Sequence, residues 1–193
     1  MNKIVNNHIE KLIKALVLTK KDTYKIEKIS KILITAINKG KKIFVYGNGG
    51  SYADSSHFVG ELTATYKKKR KPLPFFLLGS NMASVTAWAN DYRDNDYISR
   101  ELEGYAEKGD ILIILSTSGG NFKKKQSINL IKLSKVAKKK EVFLISLLGK
   151  GGGNLKNNSN LSYIVESNTT ATIQEVHKTL LHSICDLIED KIK

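Results

Sequence analysis

In the stretch Ile43-Phe44-Val45-Tyr46-Gly47-Asn48-Gly49-Gly50-Ser51, four apolar residues suited to a buried strand run straight into a glycine-rich turn. The pattern recurs where Ile111-Leu112-Ile113-Ile114-Leu115 is followed by Ser116-Thr117-Ser118-Gly119. A strand that ends in such a turn and continues as a helix offers unpaired helix N–H groups, the positive end of the helix dipole and hydroxyl donors. Two such turns in one chain predict a cradle for a compact phosphate, although each taken alone also reads as a glycine turn capped by a serine.

Further apolar runs follow at Phe75 to Leu78, Val142 to Leu147 and Leu161 to Val165, separated by segments of helical period. Near-continuous apolar strands alternating with helices predict an α/β fold, a parallel sheet flanked by helices on both faces. Ligands of such sheets sit beyond the carboxyl ends of the strands, where both hydroxyl-glycine turns lie. Before the first strand, Ile4, Ile9, Leu12, Ile13, Leu16 and Val17 recur at helical spacing, and a second helix is expected from about Asp22 to Asn38, ended by Gly40. Residues 149–154, Gly-Lys-Gly-Gly-Gly-Asn, read as a turn or a third ligand loop, and the turn is the simpler expectation.

Nucleotide signatures do not fit. A dinucleotide fingerprint needs glycine where Tyr52 stands, and no P-loop glycine-lysine-serine/threonine occurs, so no nucleotide cofactor is expected. At 193 residues, with Pro72 and Pro74 as its two prolines and no serine- or proline-rich linker, the chain reads as one domain over 1–193. Residues 1–40 supply N-terminal helices for oligomerisation, and 41–193 the sheet and the C-terminal helix. No apolar run reaches the roughly 20 residues of a membrane span, and Met1-Asn2-Lys3-Ile4 lacks a secretory leader's apolar core. The expected location is the cytoplasm, with no membrane partner. Cys185 is the single cysteine and falls on the apolar side of the last helix, which predicts core packing rather than redox chemistry.

The net charge of +14 raises nucleic-acid binding as an alternative. Only three arginines are present, Arg70, Arg93 and Arg100, and the lysines scatter over the expected helices without an interleaved aromatic stripe. Nucleic acid is therefore disfavoured. The clusters Lys67 to Lys71 and Lys123 to Lys125 are the places where an acidic partner or substrate would be attracted.

In the helix after the first turn, Ser51 and Asp54 have capping-box-like spacing, and His57 and Glu61 share a face at i, i+4. Such a pair supplies two metal ligands, or a base with a polar neighbour, or simply a surface hydrogen bond. From about Thr172 onward Ile173, Val176, Leu180, Ile184 and Leu187 form an apolar arc that includes His177, a packed or interfacial histidine. Gln174, Lys178 and His182 form a row beside it, so Gln174 and His182 can reach a common cleft; a solvated His182 is the plainer alternative.

Taken together, Gly47 to Ser51, His57-Phe58-Val59-Gly60-Glu61-Leu62, Asn90-Asp91-Tyr92, Ser116 to Gly119, and Ile173-Gln174-Glu175-Val176-His177 with His182 resemble the bacterial phosphoheptose isomerases. Five ordered motifs cover most of the chain. The resemblance implies the sugar-isomerase (SIS) domain fold, flavodoxin-like with N-terminal helices, and homotetramers with active sites at subunit interfaces. It further implies interconversion of sedoheptulose 7-phosphate and D-glycero-D-manno-heptose 7-phosphate, supplying heptose for surface polysaccharides. By motif it makes Glu61 and His182 the catalytic pair. The implied substrate contacts are Asn48, Gly49, Gly50, Ser51, Glu61, Asn90, Asp91, Ser116, Thr117, Ser118, Ser127 and Gln174. Some members of the family hold zinc through positions matching His57, Glu61, Gln174 and His182, which implies one zinc ion per subunit.

Aldose–ketose isomerisation moves one proton between adjacent carbons and another between their oxygens. A carboxylate dehydrated by substrate suits the first, and an imidazole, ordinarily titrating near neutrality, suits the second. The chain departs from the family at Gly120 to Lys125, an insertion of about six residues after the second turn, so that Ser127 replaces the family's last phosphate-binding serine or that serine is lost. Tyr52 stands where a small residue or histidine is usual, and Arg93 where glycine is frequent. Two rivals remain: a non-catalytic binder resembling the DnaA initiator-associating protein, which lacks counterparts of Glu61 and His182, and a sugar-phosphate-sensing module.

Overall fold

A computed structural model describes residues 2–92 and 96–192; Arg93 therefore lies outside the described residues. Helices α1 (Asn2–Lys20) and α2 (Thr23–Asn38) precede β1 (Ile43–Gly47), α3 (Gly50–Thr63), β2 (Phe75–Leu77), α4 (Met82–Asp91) and α5 (Tyr97–Tyr105). Then come β3 (Ile111–Ser116), α6 (Ile128–Lys139), β4 (Phe143–Leu148), α7 (Gly153–Asn158), β5 (Leu161–Ile164) and α8 (Thr170–Lys191). The five strands pair in parallel in the order β2-β1-β3-β4-β5. Direction of travel through the sheet reverses between β1 and β3, so the turns leaving these strands diverge and open a crevice at the carboxyl edge.

Alternation along each strand gives both faces an apolar surface. Ile43, Val45, Ile111, Ile113, Ile145 and Leu147 pack with Ile29, Leu33, Phe58, Leu62, Ile173 and Leu180 from α2, α3 and α8. Phe44, Leu112, Ile114, Leu144 and Leu148 pack with Leu102, Leu130, Leu133 and Leu155 from α5, α6 and α7. The period of two places neighbouring residues on opposite faces, and each fully buried aliphatic side chain contributes roughly 1.5–3 kcal/mol. Gly40, at φ +67°, ends α2 with its N–H donating to the Ile37 carbonyl. Cys185 is fully buried, and burial first, then the Glu61 and Glu189 carboxylates, push its thiol up to about 12. That agrees with packing and not with redox chemistry.

Among the described helices, α1 leaves one apolar face exposed and α4 buries no residue. On α1, Ile4, Val5, Ile9, Ile13 and Val17 are all exposed, Ile4 at 77% and Val17 at 58%, while Ala15 and Thr19 are the buried residues of that helix. None of the described helices is long and apolar enough to cross a membrane.

Candidate active site

The first turn is shaped by its glycines. At Gly47 a Cβ would lie 2.7 Å from the Ser51 Cβ, and Gly49 adopts φ +55°. Helix α3 starts at Gly50 with no side-chain cap, so the expected capping box is absent. Ser51 instead lies buried inside the first helical turn and Asp54 faces α8, because a left-handed Gly49 already turns the chain into the helix. Asn48 is held by Asn129 of α6 through reciprocal amide bonds: Asn48 Nδ2 donates to Asn129 Oδ1 at 3.0 Å and Asn129 Nδ2 donates to Asn48 Oδ1 at 2.8 Å. Tyr52 reaches away from this turn, its hydroxyl donating to the Gly79 carbonyl at 3.0 Å.

The second turn is closed by its own hydroxyls. Buried Ser116 accepts the Gly119 N–H at 3.0 Å, and Ser118 Oγ accepts the Gly120 N–H at 3.3 Å. It does not open directly into a helix. Residues 121–126 make a tight excursion in which Asn121 and Gln126 exchange backbone hydrogen bonds, with Phe122 N–H donating to Asn154 Oδ1. The excursion returns the chain to its starting point: Ser127, in the left-handed region at φ +52°, puts its Oγ 3.4 Å from Ser118 Oγ, and α6 begins next. Ser127 thus joins Ser118 despite the insertion, while Thr117 stands half-buried beside them.

The glycine run after β4 proves to be structural support for this turn, beyond the simple turn expected of it. A Cβ at Gly119 would overlap the Gly152 carbonyl, and the N–H groups of Asn154 and Leu155 donate to the Gly120 and Gly119 carbonyls at 3.0 and 2.9 Å. The chains therefore approach at backbone contact, with the N–H groups of Asn154 and Leu155 in the first turn of α7 satisfied by the carbonyls of the serine turn.

Helices α3 and α8 run in the same direction, and the row Gln174, Lys178, His182 lies against Gly50, Asp54 and His57 in turn. The Gln174 amide fills the space a Gly50 side chain would need, Lys178 Nζ lies 3.6 Å from Asp54 Oδ1, and His57 Nε2 lies 3.0 Å from His182 Nε2. Burial pushes the Asp54 carboxyl up, against the pull of Lys178. His57 Nε2 also lies 3.2 Å from Glu61 Oε1, so the ligand atoms of His57, Glu61 and His182 fall within 4.8 Å of one another. The Tyr66 ring stacks on His182 at 5.9 Å between centroids and 16° between planes.

Two nitrogens and one carboxylate oxygen at this spacing fit a tetrahedral zinc ion, whose ligands at about 2.0–2.2 Å leave about 3–4 Å between neighbours, with one position open. The fourth expected ligand is elsewhere. Gln174 precedes His182 by eight residues, roughly 12 Å of helix, and covers the start of α3 at Gly50. A single chain therefore brings together His57, Glu61 and His182, and separately gathers Asn48, Gly49, Gly50, Ser116, Ser118, Ser127 and Gln174 about the sheet edge. Asn90 and Asp91 are exposed at the end of α4, Asn90 Nδ2 donating to Asp91 Oδ1 at 3.0 Å. His177 is fully buried, its Nε2 3.2 Å from the Leu148 carbonyl and its Nδ1 without a partner, and burial lowers its pKa to about 4.

Comparison with known proteins identifies the family. Residues 6–149 match the SIS domain family. A probable phosphoheptose isomerase of Thermoplasma acidophilum is 43% identical over 169 residues, covering 86% of this chain and 90% of that protein. A phosphoheptose isomerase of Helicobacter hepaticus is 38% identical over 186 residues, covering 96% and 90%. The solved structure of a phosphoheptose isomerase from Francisella tularensis superposes with a TM-score of 0.91 at 30% identity, covering 98% of both chains. Neither the initiator-binding rival nor the sensing module is favoured by these relatives. On motif order, fold and length alike, the chain belongs to the phosphoheptose isomerase family of SIS-domain proteins.

Proposed function

We propose that the chain interconverts sedoheptulose 7-phosphate and D-glycero-D-manno-heptose 7-phosphate, with Glu61 and His182 as base and acid. The observation that carries the residue assignment is the convergence of Glu61 with His57 and His182 on one point of the α3–α8 seam. A pure phosphate binder needs the two turns but has no use for a carboxylate and two imidazoles held together.

In the forward direction the Glu61 carboxylate takes a proton from C1 of the ketose as the C1–C2 double bond of an enediol forms. His182 delivers a proton to O2 and accepts one from O1, and Glu61 returns its proton to C2, leaving the aldehyde at C1. Charge on the enediol oxygens develops beside the two imidazoles. A zinc ion held by His57, Glu61 and His182 would polarise the substrate oxygens when bound. The phosphate is assigned to Asn48, Gly49, Gly50 and Ser51 with Ser116, Thr117, Ser118 and Ser127; the sugar hydroxyls are assigned to Asn90, Asp91 and Gln174.

The separation of the two clusters supports a shared site. From Gly50 to Glu61 is eleven residues, roughly 16 Å of helix, so the phosphate turns and the Glu61 cluster stand at opposite ends of α3. The exposed stripe of α1 and the unburied α4 supply apolar area for association, each covered side chain worth roughly 1.5–3 kcal/mol. We read 1–193 as one domain whose first two helices assemble a homotetramer in the cytoplasm, and whose product feeds surface polysaccharides. In that assembly Gln174 of a second copy would join His57, Glu61 and His182 in holding a zinc ion.

The test is turnover of sedoheptulose 7-phosphate followed by NMR, with and without added zinc, on protein whose oligomeric state is measured by light scattering. Appearance of the aldose supports the reading. Absence of turnover with any heptose phosphate under either condition rejects it, and a stable monomer rejects the shared site.

A further inference from the structure

The segment between α3 and β2 carries the basic cluster Lys67 to Lys71, which reads from sequence as a place to attract an acidic partner or substrate, yet the Arg70 side chain is buried in it. Its side chain is 4% exposed and that of its partner Glu189, on α8, 3%. Arg70 Nε donates to Glu189 Oε1 at 3.1 Å. Its Nη2 donates to the Glu61 carbonyl at 2.8 Å, and its Nη1 to the Leu62 carbonyl at 2.8 Å and the Lys71 carbonyl at 3.1 Å. Glu189 in turn accepts the backbone N–H groups of Tyr66, Lys67 and Lys68 at 3.3, 3.0 and 3.1 Å. Burial alone would push the Glu189 carboxyl up, but these three donors and the guanidinium outweigh it and hold it below the usual range.

The connections reach both reacting residues. The carbonyls of Glu61 and Leu62 lie in the last turn of α3, where they lack intrahelical partners, and a planar guanidinium can hold both and a carboxylate at once. Glu189 lies seven residues beyond His182 on the same helix and fixes the backbone of Tyr66, whose ring stacks on His182. One ion pair is therefore joined to Glu61 through its carbonyl and to His182 through the Tyr66 ring. A buried pair of this kind is a weak net source of stability compared with apolar residues of the same volume, so stability by itself does not account for it.

We infer that Arg70 and Glu189 are positioning residues that set Glu61 and His182 in their mutual geometry, with Tyr66 as the wall against His182. The inference deepens the isomerase reading and rests on it. Arg70→Lys and Glu189→Gln, made in the full chain, should lower kcat for sedoheptulose 7-phosphate about 10- to 100-fold with KM within about twofold, as for other groups that orient reacting ligands. Calorimetric zinc affinity of the metal-free protein should weaken at least tenfold, while affinity for inorganic phosphate stays the same. Unchanged kcat and zinc affinity with only a lowered melting temperature would make the pair a mere staple and overturn the proposal. Should either variant fail to fold, Tyr66→Leu carries the test: kcat must fall with KM held, and an unchanged kcat overturns the proposal. If the wild type binds zinc but isomerises nothing, the functional reading fails and the zinc affinities still decide the positioning role; a wild type that does neither overturns both.

Discussion

Replacing Gly119 by alanine probes the phosphate cradle through a single atom. The residue sits at φ +67°, where a Cβ costs roughly 1–2 kcal/mol. The same Cβ would stand 2.7 Å from the Gly153 amide nitrogen and overlap the Gly152 carbonyl, both backbone atoms with no rotamer to yield. Overpacking against a close neighbour typically costs about 1–3 kcal/mol, so the two penalties together reach roughly 2–5 kcal/mol. The cheapest relief is to part the two loops, breaking the bonds from the Asn154 and Leu155 N–H groups to the Gly120 and Gly119 carbonyls. Ser116 and Ser118 then lose their arrangement, since each uses its hydroxyl oxygen to accept an N–H in this turn. Titration calorimetry with inorganic phosphate should show at least a tenfold loss of affinity, which corresponds to about 1.4 kcal/mol. Gly104→Ala, in α5 with nothing near its Cβ, serves as the control and should leave affinity unchanged. Wild-type phosphate affinity and an unchanged urea midpoint in Gly119→Ala would refute the claim that backbone contact between these loops builds the cradle.

Asn129→Ala releases the Asn48 amide and should weaken sugar-phosphate binding about three- to tenfold, in line with about 0.5–1.5 kcal/mol per hydrogen bond, as read by calorimetry. His177 is held neutral with a folded value of about 4 against 6.5, so on acidification the unfolded chain takes up the proton first. Its contribution, about 3 kcal/mol, is full above pH 6.5 and is lost as pH falls toward 4; urea midpoints at pH 7.5 and 4.5 should differ less in His177→Gln than in wild type. Ile9→Glu with Ile13→Glu, on the exposed stripe of α1, should dissociate the assembly in light scattering and abolish turnover along with it.

The sheet was legible because its strands are local signals: unbroken apolar runs such as Ile111 to Leu115, each followed by a turn, require burial on both faces. The helical row of Gln174, Lys178 and His182 was equally legible, since it follows from 100° per residue. Which residues would meet that row was not, because the offset of α3 against α8 is a tertiary fact. It brings His182 to His57 and sends Gln174 to Gly50, two turns apart on one helix. Asn129, Tyr66 and the Arg70–Glu189 pair left no trace in periodicity for the same reason: Arg70 and Glu189 are separated by 119 residues, and Arg70 stands among exposed lysines that carry the opposite reading. The excursion at 121–126 looked like a threat to Ser127, yet a closed bridge returns the chain to its starting point, so added length there does not displace the serine.

If the Glu61 carboxylate moves the carbon-bound proton, that proton must exchange with solvent during turnover. Wild-type protein incubated with sedoheptulose 7-phosphate in deuterium oxide should incorporate deuterium at C1 of the ketose at a rate comparable with turnover, read by NMR. Glu61→Gln keeps the shape and removes the base, so exchange should fall by about 100- to 10,000-fold while the protein stays folded and binds inorganic phosphate normally. Exchange that persists at the wild-type rate in Glu61→Gln would contradict the account.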